Sequence, residues 1–180
     1  MTIKFKVVLV GSSEQNKEVF LLDEKDIIQG EKYQTNLGLD FKLKYEVIEE
    51  KDVKKDINLV LWLMKGEKYK EIKRNLYEGA DGIVVLFDTS KEENVDEIIS
   101  RIRDLRKTSP DSSILLIGNN MKERMNQIIS GYTRELIQEG KIQKKLDFNI
   151  DFFDTTEKDE LISKEFLDFL TRKLLSRSDY

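Results

Sequence analysis

Residues 77–90 read YEGADGIVVLFDTS, and within them Ile83, Val84, Val85, Leu86 and Phe87 form an unbroken apolar run. A strand with one wet face alternates apolar and polar residues, whereas a strand covered on both faces is apolar throughout. The run 83–87 is therefore expected at the centre of a parallel sheet, with helices packed on both sides. Outward from it, further apolar runs fall at 3–10, 41–47, 57–64, 114–117 and 150–153, which makes six expected strands. Phe41, Leu43, Tyr45 and Val47 alternate with Lys42, Lys44 and Glu46, the pattern of an edge strand.

Between the runs the period changes. Val95, Ile98, Ile99, Ile102 and Leu105 recur on one helical face, and so do Leu161, Ile162, Phe166, Phe169, Leu170 and Leu174. Strands that alternate with helices imply right-handed crossovers and parallel pairing. The exception is 41–47 followed directly by 57–64, which predicts an antiparallel hairpin joined by the charged run EEKDVKKD as a solvated turn. The expectation is a three-layer α/β fold: a six-stranded mixed sheet with one antiparallel hairpin strand, flanked by about five helices. No repeat, low-complexity tract or Pro/Gly-rich linker divides the chain, so residues 1–180 are expected to form one domain.

Composition narrows the chemistry. Apolar residues make up 39% and charged residues 37%, which suits a buried core within a well-solvated surface. Lysine plus arginine number 31 against 35 acids, and no basic block stands out, so nucleic acid is not an expected partner. Cysteine is absent, which removes disulfides, thiolate metal sites and thiol-linked lipids. Histidine is absent as well, and with it the commonest general base. With no apolar stretch near membrane-span length and no signal-like N-terminus, a cytoplasmic location is expected.

In doubly wound sheets ligands bind beyond the carboxyl ends of the strands, so the loops after Val10, Met64, Phe87, Ile117 and Phe153 carry the candidate residues. The first reads GSSEQNKE between the strand KVVLV and the helical VFLL. A phosphate-binding loop has the form G-x-x-x-x-G-K-[ST], in which curled backbone N–H groups and a lysine hold phosphates and the hydroxyl holds magnesium. Gly11 and Lys17 fit it, while Asn16 and Glu18 stand at the second glycine and the hydroxyl. Asparagine tolerates positive φ at some cost. Glu18 adds a negative charge, although a carboxylate is itself a magnesium ligand. Lys17 reads either as a phosphate ligand or as a surface lysine paired with Glu18, and on the half-matched loop alone the second reading is favoured.

The order of the loops adds specificity. TNLGLDF (35–41), LWLMKGE (61–67), YEGADGIVVLFDTS (77–90), GNN (118–120) and FDTTEK (153–158) follow one another as in the Ras superfamily, and the chain resembles its Rab-type members over residues 3–175. The resemblance implies a GTPase-like fold and GTP or GDP with magnesium as the ligand. It assigns Thr35 to the first-switch threonine that meets magnesium and the γ-phosphate, and so makes Thr35 and Glu18 the candidate metal ligands. The family's W-D-T-A-G-Q is here Trp62, Leu63, Met64, Lys65, Gly66 and Glu67, so leucine replaces the magnesium-associated aspartate and Glu67 occupies the water-orienting position. The guanine-reading N-K-x-D is here Asn119, Asn120, Met121 and Lys122. In the last loop, Thr155 and Lys158 match E-T-S-A-K in type.

These replacements imply that no nucleotide is tightly bound and that hydrolysis by the family's mechanism is lost. The expected role is a pseudo-GTPase that meets a protein partner through its switch-like surface and edge hairpin. The alternative is a GTP-binding protein with slow or partner-dependent hydrolysis, in which Glu18 ligates magnesium. The tail SRSDY lacks the family's terminal cysteines, so no lipid anchor is expected.

Overall fold

The first strand changes character along its length, and this sets the architecture. In β1 (Thr2–Gly11), Thr2 and Lys4 are exposed and alternate with buried Ile3 and Phe5, whereas Val7, Val8, Leu9 and Val10 are all buried. One face of β1 is covered throughout and the other only toward its carboxyl end, which is what TIKFKVVLVG spells residue by residue. The computed structural model describes residues 2–11, 39–50, 53–64, 76–88, 95–119, 144–154 and 162–177.

The remaining elements are β2 (Leu39–Glu50), β3 (Val53–Met64), β4 (Gly82–Asp88), α1 (Val95–Thr108), β5 (Ser113–Asn119), β6 (Asp151–Asp154) and α2 (Ile162–Arg177). The strands join in one sheet of order β2-β3-β1-β4-β5-β6. Only β2 runs antiparallel, against β3, and every other pairing is parallel. The expected mixed α/β sheet with its hairpin is therefore present, β2 is its edge, and β4 lies inside. Both expected helices with quoted faces are present, and the remaining helices of the expected count fall outside the described residues.

Alternation of side chains divides the core. Ile3, Phe5, Val7 and Leu9 of β1, with Ile57, Leu59 and Leu61 of β3, pack beneath Phe166, Leu167, Leu170 and Leu174 of α2. On the opposite face, Val8 and Val10 with Ile83, Val85, Ile114 and Leu116 meet Ile98, Ile99, Ile102 and Leu105 of α1. Helix α1 also carries Asp96 and Glu97 in its first turn and Arg106 and Lys107 in its last, matching its dipole at both ends.

One expectation needs correction. The run EEKDVKKD is not a turn, because the ladder continues through Ile48–Lys55 and Glu49–Lys54 to Glu50–Val53 and leaves only residues 51 and 52 between the paired positions. Buried Ile48 anchors this end to the α2 side of the core, and Glu49 faces Lys54 across the ladder. Favourable cross-strand pairing thus extends strand structure into residues that read as loop by charge alone.

The segment YEGAD entering β4 is held from several sides. Gly79 takes the left-handed conformation at φ 68°, and the Ala80 N–H donates to the Tyr77 carbonyl at 3.1 Å. Asp81 joins three strands: its N–H donates to the Lys6 carbonyl at 2.9 Å, its carboxylate accepts from the Lys6 N–H at 2.7 Å, and its carbonyl accepts from the Ser113 N–H at 2.9 Å. The buried Ser109 and Ser112 hydroxyls donate to the carbonyls of Tyr77 and Ala80 at 2.5 and 2.6 Å. Gly82 lets α2 close on the sheet, since a Cβ there would stand 3.3 Å from Leu174 Cδ2.

Two outcomes test this packing. Ile102→Ala removes a fully buried side chain from the α1 layer and is expected to cost about 2–5 kcal/mol in urea unfolding, against about 0.5 kcal/mol or less for Val47→Thr, which is 47% exposed. Equal losses at the two positions would contradict the assignment of the core. Burial also pushes the Tyr77 hydroxyl up to about 12, only partly offset by Arg101. The folded state then holds this proton more tightly than the unfolded chain, so its contribution to stability is intact below pH about 10 and lost as pH rises toward 12. Unfolding measured from pH 9 to 12 should fall more steeply for the native protein than for Tyr77→Phe, and parallel curves would refute the burial argument.

Candidate functional site

Parallel pairing brings the carboxyl ends of five strands to one rim: Gly11 of β1, Met64 of β3, Asp88 of β4, Asn119 of β5 and Asp154 of β6. The amino end of the antiparallel β2 reaches the same rim, with Leu39 paired to Met64. Neighbours along the rim are fixed by register. Gly11 stands beside Leu86, Leu63 beside Leu9, Asp88 beside Asn119, and Gly118 beside Asp154.

Of the residues singled out by sequence, Gly11, Trp62, Leu63, Met64 and Asn119 lie among the described residues, at this end of the sheet. Gly11 closes β1 as a paired strand residue. Asn16, Lys17, Glu18, Thr35, Gly66, Glu67, Lys122, Thr155 and Lys158 lie outside the described residues. In sequence, Gly66 and Glu67 follow Met64, Lys122 follows Asn119 and Thr155 follows Asp154 by three residues or fewer, and Thr35 precedes Leu39 by four. The strand ends to which the motif segments are joined in sequence therefore lie along a single edge of the sheet.

The sequence reading passed over two features of the rim. Asp88 of β4 sits in register with Asn119, and Asp154 of the adjacent β6 sits in register with Gly118, so aspartates end the strands on both sides of the position that matches the base-reading asparagine. The signal was available in the shared ending of 83–88 and 150–154, where an apolar run stops at an aspartate. The second feature is the support beneath β3. The Lys6 ammonium lies 4.3 Å from the centre of the Trp62 ring and donates to the Glu78 carbonyl at 2.7 Å. Burial lowers its pKa, opposed by Asp81 and Glu78. Trp62 is thereby fixed one residue before Leu63, on the face that packs toward α1.

Other polar clusters belong to the scaffold. Arg106 donates to the carbonyls of Pro110 and Ser112 at 2.6 and 2.9 Å and stacks over Phe148 at 4.7 Å. Arg103 donates to the Lys145 carbonyl at 2.5 Å, and Lys145 pairs with Asp96 at 2.6 Å, which pins residues 144–150 along α1. Such exposed pairs contribute little individually. Among the described residues no group of three or more acidic, histidine or cysteine side chains is arranged to hold a metal, and no helix is long and apolar enough to cross a membrane.

Comparison with known proteins agrees with this architecture. The chain is 28% identical over 157 residues to the Ras-related protein RIC1 of Oryza sativa subsp. japonica, covering 86% of this chain and 72% of that protein. It is 31% identical over 130 residues to the Ras-related protein RABC1 of Arabidopsis thaliana, covering 70% of this chain and 59% of the relative. Against the GTP-binding protein ypt1 of Schizosaccharomyces pombe it is 25% identical over 176 residues, 96% of this chain and 81% of that protein. The profile of the Ras family matches residues 6–176. With a mixed parallel sheet closed by an antiparallel hairpin and a family match across nearly its whole length, the chain belongs to the Ras family of small GTPases.

Proposed function

We propose that this Ras-family chain is a pseudo-GTPase: a cytosolic protein-interaction module that keeps the fold and partner surface but does not cycle between nucleotide states. The observation that carries the reading is the residue one before the end of β3. Leu63, set in register beside Leu9, occupies the position where the resemblance expects the magnesium-associated aspartate. Lys122 makes the matching change at the base end, just beyond Asn119.

The chemistry of the donor set decides how well a nucleotide fits. Gly11 and Lys17 suit a phosphate whatever base it carries. Lys122 does not suit guanine, whose ring N–H and exocyclic amine are donors and would face an ammonium that offers only more donors. Losing a charged, paired acceptor costs about 2–5 kcal/mol, more than tenfold in affinity. Glu67 brings a second negative charge toward an anionic γ-phosphate, which disfavours the developing transition state. Guanine nucleotide with magnesium therefore does not fit this donor set, and no hydrolytic step follows from it. The protein partner is assigned to the switch-like surface and to the hairpin edge, where Tyr45 and Val47 are exposed.

A second reading rests on the retained Gly11, Lys17, Thr35 and Gly66 and on relatives described as GTP-binding proteins: the chain binds GTP with Glu18 as a magnesium ligand and hydrolyses it slowly. Nucleotide content separates the two. Purified protein, denatured and extracted, is expected to release no stoichiometric GDP or GTP, and calorimetry with GTP, GDP and ATP, with and without magnesium, is expected to give little preference for guanine. Lys122→Asp should shift selectivity toward GTP by about tenfold or more. Stoichiometric guanine nucleotide in the native protein, or magnesium-dependent turnover abolished by Lys17→Ala, establishes the second reading instead.

A further inference from the structure

The outer edge of β2 pairs with no strand among the described residues, and it is long, at 12 residues. Soluble proteins usually blunt such an edge by shortening or bending it. Here Tyr45 and Val47 are 38% and 47% exposed on one face of the strand, with half-buried Leu43 alongside, while Ile48 on the opposite face is buried beneath α2. Tyr45 is braced within the sheet, its hydroxyl donating to Asp56 Oδ1 at 2.5 Å.

The charges along the strand are polarised. Lys42 and Lys44 occupy its first half and Glu46, Glu49 and Glu50 its second. A strand that is basic at one end and acidic at the other complements itself when two copies run antiparallel and repels itself when they run parallel. We propose that β2 pairs with β2 of a second copy of this chain, antiparallel and about a two-fold axis at Tyr45, so that one sheet runs through both protomers.

Sheet continuity about a perpendicular two-fold axis keeps each face on its own side, so the strand must centre on a residue rather than between two. Centring on Lys44 or on Glu46 sets like charges against each other at the axis, where pairing is closest. Centring on Tyr45 sets Lys44 opposite Glu46 of the other copy, twice by symmetry, and Leu43 opposite Val47. Tyr45 then meets its own copy on the exposed apolar face. Asp40 falls opposite Glu50 at the two far ends, with Lys42 on the diagonal to the same Glu50. The two-fold pairing is isologous and closed, so it terminates at a dimer.

This inference rests on the hairpin edge as a docking surface and not on the loss of nucleotide binding, so its failure is read separately from the nucleotide measurements. Sedimentation velocity of the full chain over a range of concentrations is expected to show reversible dimerisation that weakens with added salt. Lys44→Glu and Glu46→Lys should each weaken dimerisation by about tenfold or more, and the double swap should restore it. Circular dichroism verifies that each variant remains folded. A chain that is monomeric at every concentration overturns the proposal and leaves the edge to a different protein, and dimers that neither single swap weakens, or that the double swap fails to restore, overturn it equally.

Discussion

Everything in this fold depends on β4 being covered on both faces. Ile83, Val84, Val85 and Leu86 are each 1% exposed or less, so every backbone donor and acceptor between them must be satisfied within the sheet. β1 on one side and β5 on the other meet that requirement, and both must run parallel to β4 because helices occupy the two faces. The register is then pinned where the strand begins. Asp81 binds Lys6 of β1 and Ser113 of β5 at once, and a slip of one residue on either side would break these bonds and turn the apolar set to the wrong face.

That dependence explains which parts of the fold were legible in the sequence. Continuous and alternating apolar runs report how many faces of a strand are covered, so the central position of 83–87 and the edge position of 41–47 were both readable. The faces of α1 and α2 were readable for the same reason. The hairpin length was not, because charge was read as a mark of solvent, whereas Glu49 and Lys54 stabilise the ladder by facing each other. The buried serines at 109 and 112 were also invisible: a serine that caps a distant carbonyl looks like any loop serine until the fold brings Tyr77 and Ala80 beside it. Leu167 and Thr171, both buried on α2, escaped because the quoted face was narrower than the stripe a helix between layers presents.

The candidate site was legible in a different way. The motif segments could be found by order and spacing, and the sheet places the strand ends that carry them along one rim. What spacing does not report is the chemistry at a given motif position, which rests on the residue type and not on the strand that leads to it. YEGADGIVVLFD is legible because it fills the core and closes a turn, with Ile83, Val84, Val85 and Leu86 buried and Gly79 at φ 68°, whereas Glu18, Glu67 and Lys122 lie outside the described residues. Fold and site are thus separable physical requirements carried by one chain, and family membership follows from the first without fixing the second.

β3 is where the two requirements touch. Its inward residues Ile57, Leu59 and Leu61 belong to the core beneath α2, and Trp62 is held by Lys6 on the other face. The next position, 63, is paired with Leu9 on one side and Asp40 on the other. Register sets position 63 directly opposite Asp40, so a carboxylate there would face a like charge across the ladder, whereas leucine does not. The rim and the hairpin that borders it are thus joined through the β2–β3 ladder, which runs from Leu39–Met64 to Glu50–Val53.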